Sequence, residues 1–129
     1  MALLLTSNTT ESAVAAGGIV PLGAAVHGCG KDIRLVGNSV TLYGTGYYKV
    51  DVSISATVAG TGAMTAQLYA DGVPIPGAKA TETPGAADPV VNLTIPWIVK
   101  KNCPCNATVL TVGLDVAGTV NNVVVRVEK

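Results

Sequence analysis

Hydrophobic and polar residues alternate without interruption along residues 47–58. One face of this alternation carries Tyr48, Val50, Val52, Ile54, Ala56 and Val58, and the other carries Tyr47, Lys49, Asp51, Ser53, Ser55 and Thr57. Successive side chains of a β-strand point to opposite faces, so one face can pack into a core while the other meets water or a polar neighbour. A helix would need a period of about 3.6, and the stretch therefore predicts one long strand in an all-β protein.

Shorter alternating runs, separated by turn residues, predict further strands in the rest of the chain. The expected strands lie at residues 19–26, 33–36, 39–43, 63–70, 89–99, 108–116 and 120–128. Gly37-Asn38 and Asp71-Gly72 are expected to form tight turns, because Gly, Asn and Asp tolerate a positive φ. Pro96 and the prolines within residues 73–77 indicate sheet edges, where a missing N–H is tolerated. Turn signals roughly every 8–12 residues are typical of a two-layer antiparallel sandwich, and a jelly roll is the expected topology.

The start of the chain differs from the rest, because no period is sustained before residue 18. Residues 1–18 are expected to form an extended arm or an irregular lead-in strand, and residues 19–129 the jelly-roll domain. The arm contains the run Leu3, Leu4 and Leu5. An exposed leucine triplet is costly unless something covers it. Two interpretations therefore stand side by side: a frayed terminus, or an anchor whose leucines insert into a neighbouring molecule.

Composition adds a constraint on the surface of this sandwich. The chain of 129 residues suits one core, with a hydrophobic fraction of 49%, a charged fraction of only 12% and a mean hydropathy of +0.48. Soluble domains usually carry about 25% charged residues. We expect part of the surface to be covered, either by self-association or by packing in an extended assembly.

Charge and hydropathy also exclude several partners. The formal net charge is zero, and the eight Lys and Arg residues are scattered rather than gathered on one face. Nucleic-acid binding needs a concentrated basic surface, so it is not expected. The chain shows neither a basic leading segment nor an apolar run of about 20 residues, so we expect no secretion signal and no membrane partner. Folding in a cytoplasm is the expected route.

The residues that carry chemistry are sparse. His27 is the only histidine, and no serine lies in a nucleophile-elbow motif. The acidic residues fall mostly in turns or on polar strand faces, with no spacing that favours a converging pair. We therefore expect no catalytic residue, no cofactor and no metal, and the protein is predicted not to be an enzyme.

Cys29, Cys103 and Cys105 are the three cysteines, and an odd number is a poor disulfide framework. Free thiols are the leading interpretation. One bridge from Cys29 to Cys103 or to Cys105 is the alternative, although a reducing compartment disfavours it. A zinc site that combines the thiols with His27 is disfavoured by the tight C-x-C spacing.

Three segments resemble one family in the same order along the chain. Residues 38–52 (NSVTLYGTGYYKVDV) resemble the short strand, Gly-x-Tyr and long alternating strand of tumour-necrosis-factor-like and complement-type globular heads. Residues 68–77 (LYADGVPIPG) resemble the hairpin that follows in heads of bacterial collagen-like spore-surface proteins, and residues 123–128 (VVVRVE) resemble the closing strand. The resemblance implies a jelly roll that assembles as a compact homotrimer, with one sheet of each subunit on the threefold axis.

The resemblance also carries the functional expectation. The start of the chain (MALLL) is similar to that of small phage and prophage proteins, for which capsid decoration or a head-fibre role is implied. The leading hypothesis is a homotrimeric virion protein made in the host bacterial cytoplasm and displayed on the capsid exterior. Its partners would be its own copies and the major capsid protein, with Leu3, Leu4 and Leu5 as the capsid anchor. The alternative is a trimeric carbohydrate- or receptor-binding head, with a glycan as partner and residues 81–88 as the reading loop.

Overall fold

The computed structural model describes residues 2–60, 62–85, 89–103 and 106–129. Every helix or strand element within these ranges is a β-strand. The strands are β1 Leu3–Asn8, β2 Ser12–Val14, β3 Ala24–Cys29, β4 Ile33–Val36, β5 Ser39–Leu42, β6 Gly46–Val58, β7 Met64–Ala70, β8 Val73–Glu82, β9 Val90–Lys101, β10 Thr108–Leu114 and β11 Gly118–Glu128. The described residues accordingly contain no helix long and apolar enough to span a membrane.

The strands form two antiparallel sheets. The front sheet has six strands, in the order β3-β1-β11-β6-β9, with β2 pairing the far end of β11 beyond β1. The back sheet has five strands, in the order β4-β5-β10-β7-β8. Consecutive strands are spread over both sheets, as in a jelly roll. The predicted all-β, two-layer antiparallel jelly roll is confirmed.

The long alternating strand is the centre of the front sheet. β6 pairs β11 on one side and β9 on the other, so its backbone is satisfied along both edges. Its predicted inward side chains, from Tyr48 to Val58, are all buried against the back sheet. Fully burying a valine or isoleucine side chain contributes about 1.5–3 kcal/mol. The predicted edge positions are also confirmed, since Pro74 and Pro76 lie in the edge strand β8 and Pro96 lies in the edge strand β9.

Residues 3–8 and 12–14 are strands of the sandwich and not of a separate arm. β1 lies between β3 and β11, and it pairs β11 from Leu3 to Asn8. Leu4 is only 4% exposed, and Val14 of β2 is buried in the same core cluster. β1 and β2 thus correspond to the lead-in strand that the sequence left open as the alternative to an arm. Three consecutive leucines put apolar side chains on both faces of β1, which hid its period of two.

The segment after β2 also differs from the prediction. Ile19 makes only an isolated bridge to Gly113, while Val20 and Leu22 fill the core between the sheets. The strand expected at residues 19–26 begins instead at Ala24 and continues through Cys29. Positions 86–88 of the predicted 81–88 loop lie outside the described residues, and Thr81 and Glu82 still belong to β8.

Candidate interaction surfaces

The outward side of the front sheet is a broad surface that we call the open face. It is built from the residues that alternate with the buried positions of four neighbouring strands. These residues include Leu3, Leu5 and Ser7 on β1, Val124, Arg126 and Glu128 on β11, Tyr47, Lys49, Asp51 and Ser53 on β6, and Asn92, Thr94, Pro96, Ile98 and Lys100 on β9. Lys100 lies at the margin of the face, with its Nζ 5.5 Å from the centroid of the Tyr47 ring. The register of the pairs places these side chains in rows across the sheet.

Four charged side chains lie in the middle of the open face. Arg126 is opposite Asp51, and Glu128 is opposite Lys49, so two positive and two negative charges form a neutral block. The Arg126 guanidinium donates a hydrogen bond to the Asp51 carboxylate. That hydrogen bond, aided by the charges of Asp51 and Glu128, raises the pKa of Arg126. Asp51 thus has a partner within its own chain, and the block presents no net charge to a neighbour.

Apolar side chains flank this charged block on both sides. Leu3 and Leu5 are half-buried on the β1 side. On the β9 side Ile98 is 59% exposed, and Tyr47, at the same end of the face, is 62% exposed. A groove of about 540 Å³ is lined by Lys49 and Asp51 of the block and by Pro96, Trp97 and Ile98 of β9. Exposed apolar side chains around a polar centre make this face a candidate interaction site.

The structure divides the three predicted anchor leucines between two environments. Leu4 points into the core, whereas Leu3 and Leu5 lie on the open face. A flexible anchor that inserts all three side chains into a partner is incompatible with this strand. Leu3 and Leu5 remain available for contact as part of a flat surface.

A second feature, which we call the end cleft, lies where the β3–β4 and β5–β6 connections meet. Its volume is about 480 Å³, and its lining residues are Lys31, Asp32, Arg34, Tyr43 and Gly44. The backbone N–H of Tyr43 donates to the carbonyl of Asp32 over 2.8 Å, which joins the two connections. The sequence reasoning missed this cleft, because its residues come from two turns that looked like ordinary loops.

Lys129 closes one side of the end cleft. Its Nζ donates to Oδ2 of Asp32 over 2.7 Å and lies 5.6 Å from the centroid of the Tyr48 ring. The hydrogen bond lowers the pKa of Asp32 and raises the pKa of Lys129. Burial raises the pKa of the Tyr48 phenol. A Cβ at Gly44 would lie 2.7 Å from both Asp32 Cγ and Lys129 Nζ, so any larger residue there would force this pair to shift.

The cysteines do not form the expected set of three free thiols. Cys29 is a free, exposed thiol on β3, opposite Leu3. Cys103 is disulfide-bonded, so the free-thiol expectation is wrong there, as is the alternative bridge from Cys29. Cys105 lies outside the described residues. Among the described residues, His27 and the other potential ligands form no group of three or more that could hold a metal ion.

The fold is shared with solved structures over almost the whole chain. A crystal structure of murine APRIL is 11% identical, with a TM-score of 0.75 over 99% of this chain and 98% of that one. The globular domain of zebrafish complement 1qA is 8% identical, with a TM-score of 0.76 over 99% and 96%. PRD1 vertex protein P5 is 14% identical, with a TM-score of 0.69 over 98% and 94%. No protein-family model and no curated protein sequence matches the chain.

These likenesses define the class of protein. All three structures have the tumour-necrosis-factor-like jelly roll, and this chain has the same fold. The resemblance drawn from residues 38–52, 68–77 and 123–128 is confirmed at the level of the fold. At identities this low, the likeness shows a shared fold and gives no information about activity.

Proposed function

We propose that the protein is a homotrimeric structural component of a phage virion and that its copies associate through the open face. The observation that carries the proposal is the composition of that face. The charged block at its centre has no net charge. The exposed side chains of Ile98 and Tyr47 lie on one side of the block, and Leu3 and Leu5 lie on the other. Specific interfaces bury about 800 Å² per partner with few unpaired charges at their centre. A sheet face whose central charges balance within the chain fits that requirement, with the further charge of Lys100 at its margin beside Tyr47.

The virion role has separate support. A vertex protein of PRD1 shares the fold over 94% of its own length. In this proposal the head decorates the capsid exterior, in an auxiliary or head-fibre position, and the major capsid protein is its partner. The role is structural and not enzymatic. Because Leu4 is in the core, docking on the capsid uses a folded surface and not an inserted arm.

Two measurements, made one after the other, test the proposal. Light scattering of the purified protein should give a molar mass three times the 12.9 kDa of one chain. Mass spectrometry and electron cryo-microscopy of virions from the encoding phage should then find the protein bound outside the capsid. A monomer in solution would reject the trimer, and virions that lack the protein would reject the decoration role.

A second candidate function is a trimeric head that recognises a carbohydrate or a surface receptor. The observation in its favour is the end cleft, which combines two unpaired cations with an exposed aromatic ring. The loop at residues 81–88, the expected reading element, is not needed for this candidate.

A further inference from the structure

We propose that the end cleft binds an acidic sugar, whose carboxylate or phosphate group is held by Lys31 and Arg34 while its ring lies against Tyr43. The inference deepens the second candidate function. It depends neither on the virion role nor on the trimer, because every group that it names belongs to one chain.

The charge of the cleft favours an anion. Lys31 and Arg34 are among its lining residues, and Asp32 is the one acidic side chain among them. Asp32 is already bound by Lys129. Within the described part of the chain, neither Lys31 nor Arg34 forms an ion pair. Two cations therefore remain for a ligand, in a protein whose formal net charge is zero.

The shape of the cleft favours a ring-shaped ligand. Tyr43 is 41% exposed, so part of its ring is accessible to a ligand. The guanidinium carbon of Arg34 lies 6.0 Å from the centroid of the Tyr43 ring, so a cation stands beside an aromatic face. Binding pockets typically combine such an apolar platform with a few polar groups that orient the ligand. The C–H face of a sugar and its acidic group match these two features.

The cleft is held in place before any ligand arrives. The Tyr43–Asp32 backbone bond of 2.8 Å and the Asp32–Lys129 pair at 2.7 Å join three segments distant in sequence. Gly44 forms the floor with no side chain of its own. A preformed site loses less entropy on binding, which allows a small ligand to bind measurably. The volume of about 480 Å³ lies within the usual range for small-molecule sites.

Amide NMR titration of the full chain tests the proposal. The probes are digalacturonic acid, which carries carboxylates, galactose 6-phosphate, which carries a phosphate, and neutral galactobiose. We expect at least one acidic probe to shift the amide signals of Lys31, Asp32, Tyr43 and Gly44 with a millimolar or tighter Kd. The shifts should weaken with added salt, as screening predicts. Which acidic probe binds more tightly identifies the preferred group.

Two charge-neutralising variants separate this site from general attraction. Arg34→Gln should weaken binding by about tenfold or more, because a charge-assisted hydrogen bond is lost. Lys79→Gln removes the same charge from β8, at the far edge of the back sheet, and should leave Kd unchanged. The proposal is overturned if no acidic probe binds, if galactobiose binds equally well, or if both variants weaken binding alike. None of these results bears on the molar mass or on the presence of the protein in virions.

Discussion

At the scale of single residues, Thr6 stands out in the core. It is fully buried on β1, and its Oγ1 is the one buried side-chain polar atom without a hydrogen-bond partner among the described residues. A buried, unsatisfied hydroxyl costs about 1–3 kcal/mol, whereas a methyl group of the same shape costs nothing there. Thr6→Val should therefore raise the free energy of unfolding by about 1 kcal/mol.

Urea unfolding with fluorescence detection measures this effect. Thr111→Val is the matched control, since Thr111 is half-buried on the central strand β10 and its hydroxyl can reach water. The control variant reports the general preference of strands for valine. The gain in stability from Thr6→Val should be larger than the gain from Thr111→Val. A loss of stability in Thr6→Val would show that the hydroxyl has a partner, such as a buried water molecule.

The Asp32–Lys129 pair should make the stability of the protein depend on pH, in a direction that follows from the pKa shift of Asp32. The pKa of Asp32 is lowered from its ordinary 3.8 by the Lys129 hydrogen bond, so the folded state favours the carboxylate. A depressed carboxyl pKa stabilises the fold above the unfolded value and loses that contribution as pH falls through the folded value. Asp32→Asn should lower stability at neutral pH, and the difference from wild type should vanish at pH values below the folded pKa.

Chemical unfolding of both proteins at about pH 7 and about pH 2 tests the sign. The same pair also acts at alkaline pH. Because it raises the pKa of Lys129 above the ordinary 10.5, its contribution to stability should be lost only as pH rises well above 10.5. Glu11→Gln is the control, because Glu11 is exposed and makes no ion pair in the described structure. A difference that persists unchanged at low pH would contradict the assigned role of the carboxylate.

At the scale of elements, a strand or turn was predicted correctly where neighbouring residues encode it. The β7–β8 hairpin was predictable because its turn is encoded by two adjacent residues. Asp71 has φ of 52° and Gly72 has φ of 81°, the conformation that an Asp-Gly turn favours. Asp71 also accepts a hydrogen bond from the Val109 N–H over 2.9 Å, which ties the turn to β10. That second contact spans 38 positions and has no trace in the local pattern.

β1 was not predicted as a regular strand, because its neighbouring residues do not show which side chains are buried. Its inward residues are Leu4, Thr6 and Asn8, and its outward residues begin with Leu3 and Leu5. Each side of β1 thus mixes leucine with polar residues, so the usual separation of apolar and polar faces is missing. Asn8 is satisfied by donating to the carbonyl of Pro21 over 3.2 Å. Only the tertiary partner explains why a polar residue is tolerated there.

The contact between edge strands β8 and β9 supplies a further prediction. Gly77 has φ of +86°, and an added Cβ would lie 3.2 Å from Cη2 of Trp97. Gly77→Ala should therefore lower stability through a strained backbone, about 1–2 kcal/mol, and through displacement of the indole. The emission of Trp97, the only tryptophan, should shift to longer wavelength.

Two glycine controls separate these causes. Gly37→Ala has the same sign of φ with open space around the new Cβ, and Gly60→Ala has neither strain nor crowding. Urea unfolding should rank Gly77→Ala as most destabilising, Gly37→Ala as intermediate and Gly60→Ala as nearly neutral. Equal losses at Gly77 and Gly37 would remove any role for the Trp97 contact.

At the scale of the whole molecule, the alternation and the resemblance together predicted the fold, but not the surfaces. The open face follows from strand order, since β1, β11, β6 and β9 become neighbours only when the chain closes its jelly roll. The end cleft requires Lys129 to reach Asp32, a separation of 97 positions. Neither neighbourhood has a linear spacing from which it could be derived. The charge-poor composition predicts that part of the surface is covered, and the exposed Ile98 and Tyr47 are side chains that such a contact would bury.

The trimer proposal predicts where a single charge will break the assembly. Ile98→Asp places a carboxylate beside the charged block of the open face, where an interface would bury it without a partner. Burying an unpaired charge costs several kcal/mol, so this variant should be a monomer at micromolar concentration by light scattering. Tyr47→Asp, on the same face, should behave alike.

Val73→Asp is the matched control, because Val73 is 65% exposed but lies on β8 at the edge of the back sheet. It should remain trimeric, and far-ultraviolet circular dichroism should show that all three variants keep their strands. A trimer that survives both open-face variants would place the contact elsewhere. A trimer that dissociates only in Val73→Asp would assign it to the back sheet, and the open face would then be free for the capsid.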